Sequence, residues 1–276
     1  MSIVKNENEE AVIAILKFVH PNYAEDFEND NLYFNNLQRF HEIEHDEIGD
    51  KLEGVISNKL GNKYAPNDEV EMYIRNLEVP NSKIHKVNVK EVTLKNTSDI
   101  VKEFKICCFS IIRLKDLVEC DDGKYRLNQE FVRKMNGIID NRNIYVTIHL
   151  KNFINKLVRT FSEKDTYFKA AIVKYFEDKH PLFYKIESGE KLIVKDFINA
   201  SFYKTSQYDS QKEYRILTYK LKENKLKIEG LYDKFQKLEN LKQLAINFYT
   251  EEEYRNLNKW QILSLIHISE PTRRRG

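Results

Sequence analysis

The sharpest chemical motif is HEIEH, running from His41 to His45. On a helix, residues four apart share a face, so His41 and His45 would offer two imidazoles to zinc, with Glu42 as general base for a metal-bound water. The surroundings argue against a zinc hydrolase. Glu44 stands between the two ligands, Asp46, Glu47 and Gly49 follow at once, and no downstream third ligand announces itself. A solvated, charged helix end satisfies the same letters. No metal is therefore expected, and zinc held by His41 and His45 is the alternative. A second set lies in FYKTSQYDSQKEYRILTY, from Phe202 to Tyr219. If the chain after Gln211 is a strand, Gln211, Glu213 and Arg215 share one face. A polar triplet on an otherwise apolar strand either forms cross-strand ion pairs in solvent or lines a cleft. In a cleft, Glu213 and Arg215 are the candidate catalytic residues for a polar or phosphorylated ligand, with Gln211 binding and Lys204 and Tyr208 at the rim.

Gln211 and Glu213 also fit the short Gln-x-Glu pattern of one class of ADP-ribosyltransferases, where the Glu stabilises the departing ribosyl cation and NAD is the cofactor. Such enzymes clamp the dinucleotide with an Arg from the first strand, and the first Arg of this chain is Arg39. A third feature is IGDKLEG, Ile48 to Gly54, a turn presenting Asp50 and Glu53. Two carboxylates there suit a cation or simply cap the turn. Walker loops, dinucleotide glycine fingerprints, nucleophile elbows and Cys-x-x-Cys pairs do not occur in the sequence.

Positioning these groups requires a scaffold, and the hydrophobic pattern supplies one. AVIAILKFV reads as a strand, and PNYAEDFEND as a short helix opened by Pro21. LYFN is a brief strand and NLQRFHEIEH a helix. The stretch from Asp50 to Pro66 is loop-like, punctuated by glycine. MYIRNLEV and SKIHKVNVKEVTL alternate at period two, as half-buried antiparallel strands do. FKICCFSII is continuously apolar, which marks a central strand. LNQEFVRKMNGII carries Leu127, Phe131, Met135 and Ile138 on one helical stripe. NIYVTIHL is a strand, and Phe153, Leu157 and Phe161 recur at helical spacing in KNFINKLVRTFSEK. FKAAIVKYF is another strand. EYRILTYKL and KLKIEG are expected to form a hairpin around Glu223-Asn224, and LYDKFQKLENLKQLAINFY a helix. This mixed order predicts an α+β fold, with a mixed, largely antiparallel sheet and packed helices.

Composition agrees with a folded domain: 41% of residues are hydrophobic, 12% aromatic and 32% charged. Lys and Glu alternate finely, as on solvated faces, so no strong nucleic-acid signal is present. No stretch reaches the roughly 18 apolar residues of a membrane span, and a run broken by Lys17 is unlike a signal peptide. Cys107 and Cys108 are neighbours, which on a strand point to opposite faces. With Cys120 they read as thiols of a reducing cytoplasm, and a cytoplasmic location with no membrane partner is expected. A protein partner is left open.

Residues 263 to 273, LSLIHISEPTR, resemble a translated transposon-end sequencing adapter, so a single domain is expected over 1–262 and an artefact over 263–276. Without that stretch, three arginines and one glutamate go. The 45 basic and 43 acidic residues then become equal in number.

The string from NYAEDFENDNLYFNNLQRF through IGDKLEG resembles the opening of an uncharacterised phage and prophage protein family. KICCFSI, IYVTIHLKNFINKLVRTF, AAIVKYF, FYKTSQYDSQKEYRI and KLKIEGLYDKF are similar to its later blocks, in the same order, over most of Ala11 to Phe235. The layout is distantly similar to the domain-of-unknown-function family numbered 2971, whose early Asn-Asp-Pro turn this chain lacks. The resemblance implies a phage or mobile-element origin and a role in phage–host interaction or defence. The matching positions are Tyr33, Phe34, Asn35, Asp50, Glu53, Lys204, Tyr208, Gln211, Glu213 and Arg215. HEIEH is outside the pattern.

Overall fold

The computed structural model describes residues 8–42, 52–60, 70–74, 83–89, 92–96, 98–139 and 141–248. His45, Asp50 and the adapter-like stretch lie outside the described residues, as do the side chains of His41 and Glu42. The zinc motif and the tail are therefore not described.

The fold is α+β. Its main sheet contains, in chain order, β1 (Val12–Val19), β2 (Asn35–Asn36), β3 (Phe104–Arg113), β4 (Asn143–Thr147), β5 (Tyr167–Ile172), β6 (Glu213–Tyr219) and β7 (Gln236–Leu238). The spatial order is β5-β6-β3-β1-β4-β7, with β2 also on β3, and every pairing in it is antiparallel. A parallel pair, Lys174–Phe176 with Tyr203–Thr205, lies beside it.

Alternation along the strands divides the apolar residues between two faces. One face presents Ile15, Val19, Cys107, Phe109, Ile111 and Ile216 to helix α2 (Leu150–Glu163), whose Phe153, Leu157 and Phe161 recur every four residues and are all buried. The other presents Leu16, Ile112 and Val146 to α1 (Gln129–Ile139), through Phe131 and Met135. Farther along that second face, Ile106 and Leu217 meet Phe197 and Ile198 of α3 (Val194–Ala200).

The sheet has one interruption that matters for function. On one edge of β3, β1 pairs with Arg113 down to Ser110, and β2 pairs with Ile106 and Lys105. Between them, at Cys107 to Phe109, β1 and β2 diverge and the sheet opens.

Four expectations from the sequence are corrected. The stretch read as a loop contains the strand Ile56–Leu60, paired with Val92–Asn96. Its buried residues include Ser57 and Asn58, so polarity disguised it. No hairpin forms around Glu223-Asn224, because Lys225–Lys227 pairs with Asn31–Tyr33 and buries Leu226 there. The last expected helix is instead β7 followed by a short turn, Leu241–Gln243, capped by Asn240. Leu238, Leu241 and Leu244 are all buried, a three-residue spacing that a 3-10 turn produces as readily as an α-helix. His85–Val89 is a strand but mostly exposed, not half-buried. Among the described residues no helix is long and apolar enough to cross a membrane.

Candidate functional site

Beneath the opening in the sheet lies a group of buried charges. Glu53 comes from the tight turn before Ile56–Leu60, and Lys204 from the middle of Tyr203–Thr205. Gln211 ends the short helix Ser206–Gln211, after which Lys212 adopts a left-handed conformation (φ 45°) and redirects the chain into β6. The chain after Gln211 is a strand, as read from the sequence, but it begins at Glu213, and Gln211 itself lies in the preceding turn. Gln211 nevertheless joins Glu213, as the sequence pattern implied.

The contacts are dense. Arg215 donates from Nε to Glu213 Oε1 (2.7 Å), from Nη1 to the Ser201 carbonyl beyond the C-terminus of α3, and from Nη2 to Glu53 Oε1. A cation there also favours the helix end electrostatically. Lys204 donates from Nζ to Gln211 Oε1 (2.7 Å) and Glu213 Oε2 (3.1 Å), with Glu53 Oε1 at 3.5 Å. The ammonium also sits over the Tyr208 ring, 5.3 Å from its centroid. The backbone N–H of Glu213 donates to the Tyr175 hydroxyl at 3.0 Å.

Two carboxylates and two cations thus balance in a space from which water is almost excluded. Burial works to raise the Glu213 carboxyl, but the charges of Arg215 and Lys204 outweigh it and hold that carboxyl well below the usual range. Burial likewise works against charge on Lys204, and Glu213 and Glu53 overcome it, leaving the ammonium harder to deprotonate than usual. Isolated buried charges are costly, and these persist because each has a partner. Cys108, on the facing strand, has its thiol pushed well up by burial and by the nearby Glu213 charge.

Glu213, Gln211 and Lys204 form one end of a cleft of about 400 Å³ that passes through the opening between β1 and β2. The strand residues Cys107 to Ser110 line it as well, as do Lys17, His20, Tyr23, Tyr33 and Arg142. Lys17 reaches into the opening. Its ammonium donates to the Cys108 carbonyl (2.7 Å), lies 3.3 Å from Cys107 Sγ, and rests over the Phe109 ring.

The structure therefore brings together Glu53, Lys204, Tyr208, Gln211, Glu213 and Arg215, and joins the glycine-flanked turn to the β6 face through Glu53 and Arg215. Lys204 and Tyr208 are buried and not at a rim. Arg215 is fully buried behind Glu213, so it positions that carboxylate and does not itself reach the cleft. Lys17, His20, Arg142 and Cys108 were not anticipated. A usable signal existed for Lys17, a single cation inside an otherwise apolar strand.

Comparison with protein-family models, curated proteins and solved structures found no match. The functional reading therefore rests on the site. Among the described residues no group of three or more His, Cys, Asp or Glu side chains is placed to hold a metal ion.

Proposed function

We propose that this chain is a cytoplasmic protein of phage or mobile-element origin, acting in phage–host interaction or defence, whose cleft binds a small polar ligand. The ordered motif resemblance supports the origin. The observation that carries the binding reading is the buried Glu53–Arg215–Glu213–Lys204 group backing a cleft of ligand size. A charged network of this kind is an expensive way to fill a core, since apolar residues of similar volume often serve stability as well or better. It does fix Gln211 and Glu213 rigidly at the end of a cavity, as a polar binding site requires.

The test is thermal unfolding in the presence of a panel of small phosphorylated, carboxylated and sugar compounds at millimolar concentration. At least one compound should raise the midpoint, and Gln211→Leu should lose that response while keeping the far-UV spectrum of a folded chain. If no compound raises the midpoint, or Gln211→Leu responds like the parent, the reading fails.

A second reading is favoured by the presence of both Gln211 and Glu213 on one cleft wall: an ADP-ribosyltransferase-like enzyme. A carboxylate kept ionised by Arg215 and Lys204 suits stabilisation of a developing cation better than proton abstraction. NAD turnover that persists in Glu213→Gln would exclude it.

A further inference from the structure

The main sheet ends on β5, whose outer edge pairs with no strand among the described residues. Val173 donates its N–H to the Glu213 carbonyl at 2.9 Å, so in the antiparallel register Tyr167, Lys169 and Ala171 also bond inward to β6. The alternate residues Phe168, Ala170 and Ile172 turn their N–H and C=O groups outward. The strand is partly exposed along its length, and Tyr167 is 49% exposed. Such an edge is a template for a further strand. It is separate from the cleft, since β6 lies between β5 and β3.

The face shared by Lys169 and Ala171 looks towards α3. Lys169 Nζ donates to Asn199 Oδ1 at 2.7 Å and lies 4.7 Å from the centre of the Phe202 ring. Lys195 precedes Asn199 by one helical turn and so stands on the same side of α3. Lys174 donates its backbone N–H to the Phe202 carbonyl at 2.9 Å. Three lysines therefore gather around Asn199 and Phe202. Burial holds the Lys169 ammonium below the usual lysine range, and the charges of Lys174 and Lys195 act in the same direction. Asp196, the carboxylate next to Lys195, is bonded instead by Lys185 at 2.7 Å. Lys174 and Lys195 are exposed, and neither forms an ion pair among the described residues.

We infer that this edge docks an extended acidic segment of a protein partner, which adds to β5 as a further strand and sets carboxylates against Lys169, Lys174 and Lys195. Strand addition supplies affinity through main-chain bonds, and alternate side chains supply specificity. Opposite charges across neighbouring strands attract and like charges repel. A second copy of β5 is therefore a poor occupant, because it brings two Lys169 ammonium groups to one face. A nucleic acid suits the lysines but not the edge, since its phosphates offer no N–H donors to the outward carbonyls of Phe168, Ala170 and Ile172. On the other face those three side chains pack against the core that α2 closes, and they are only partly covered. The matching partner thus alternates acidic and apolar residues.

The experiment is fluorescence anisotropy at low salt, titrating a fluorescein-labelled heptapeptide of alternating Glu and Val with the full chain. Saturable binding is expected, roughly tenfold tighter than that of a Ser-Val peptide of the same length. The double variant Lys174→Glu/Lys195→Glu changes exposed positions and should weaken the Glu-Val peptide by about the same factor. Lys242→Glu, next to β7 at the other edge of the sheet, should leave it unchanged. N-methylation of every second peptide residue should abolish binding in one phase, where it removes the N–H groups that face β5, and spare it in the other. Equal affinity of the Ser-Val peptide, or an unaffected Lys174→Glu/Lys195→Glu variant, would overturn the charge assignment. Equal behaviour of the two methylation phases would overturn strand addition. An oligothymidylate that binds more tightly than the peptide would give the surface to nucleic acid, and absence of saturable peptide binding would end the inference.

Discussion

Lys17 stands in for a missing strand partner: its ammonium donates to the Cys108 carbonyl at 2.7 Å, on the stretch of β3 that neither β1 nor β2 pairs. Lys17→Met keeps the apolar stem and removes the donor, leaving that carbonyl unsatisfied beside a buried thiol. The expected loss is about 1 to 3 kcal/mol of folding stability, read as a lower urea midpoint at unchanged slope.

Removing the guanidinium from the buried group has a larger effect. Arg215→Met leaves Glu53 and Glu213 with Lys204 as their remaining cation in the cluster and should cost about 3 to 5 kcal/mol. Adding Glu53→Gln relieves part of the excess negative charge. The double variant should therefore be more stable than the sum of the two single changes allows, a coupling measured by a double-mutant cycle in urea. Strict additivity would show that Glu53 and Arg215 do not act together.

Gly54 holds the turn that delivers Glu53. Its φ is +70°, and a Cβ there would lie 2.7 Å from Leu37 Cδ2. Gly54→Ala should lose roughly 1 to 3 kcal/mol through left-handed backbone strain and crowding together. Because the change displaces the turn next to Glu53, it should also weaken whatever the cleft binds, whereas Gly123→Ala, with open space around it, should not.

Acid sensitivity should trace to His180. It is buried, its Nδ1 accepts the Leu182 N–H, and burial lowers its imidazole to about 4 from the ordinary 6.5. The unfolded chain therefore binds a proton more readily than the folded one, and stability falls as pH drops from about 6.5 towards 4. The full effect is on the order of 3 kcal/mol. In His180→Gln, unfolding free energy measured across that window should lose this part of its slope. An identical slope would place the acid sensitivity elsewhere.

Much of the scaffold was legible because its strands and helices bury one clear face. FKICCFSII announced the central strand, and Phe153, Leu157 and Phe161 announced α2, since nothing but a buried stripe explains their spacing. The polar site residues Gln211, Glu213 and Arg215 stood out as an anomaly on an apolar background, and Glu53 through its glycine-flanked turn. What stayed hidden depends on distant partners. Leu238, Leu241 and Leu244 suit a helix or a strand with a turn, and the pairing of β7 with β4 decides it. Ser57 and Asn58 are buried polar residues in a strand whose partner, Val92–Asn96, lies far along the chain. Lys17 and Arg142 became site residues through the divergence of β1 and β2, which no local pattern encodes.

The Glu53–Arg215 pair joins positions 162 residues apart. Such a link is expensive in chain entropy and closes only when most of the intervening chain has found its place. A fragment missing Glu53 is left with one carboxylate against two cations, and one missing β6 loses Glu213 from the cleft. Ligand capture would therefore report on the completeness of folding itself, and a ligand added during refolding should speed the approach to the native state little while slowing escape from it.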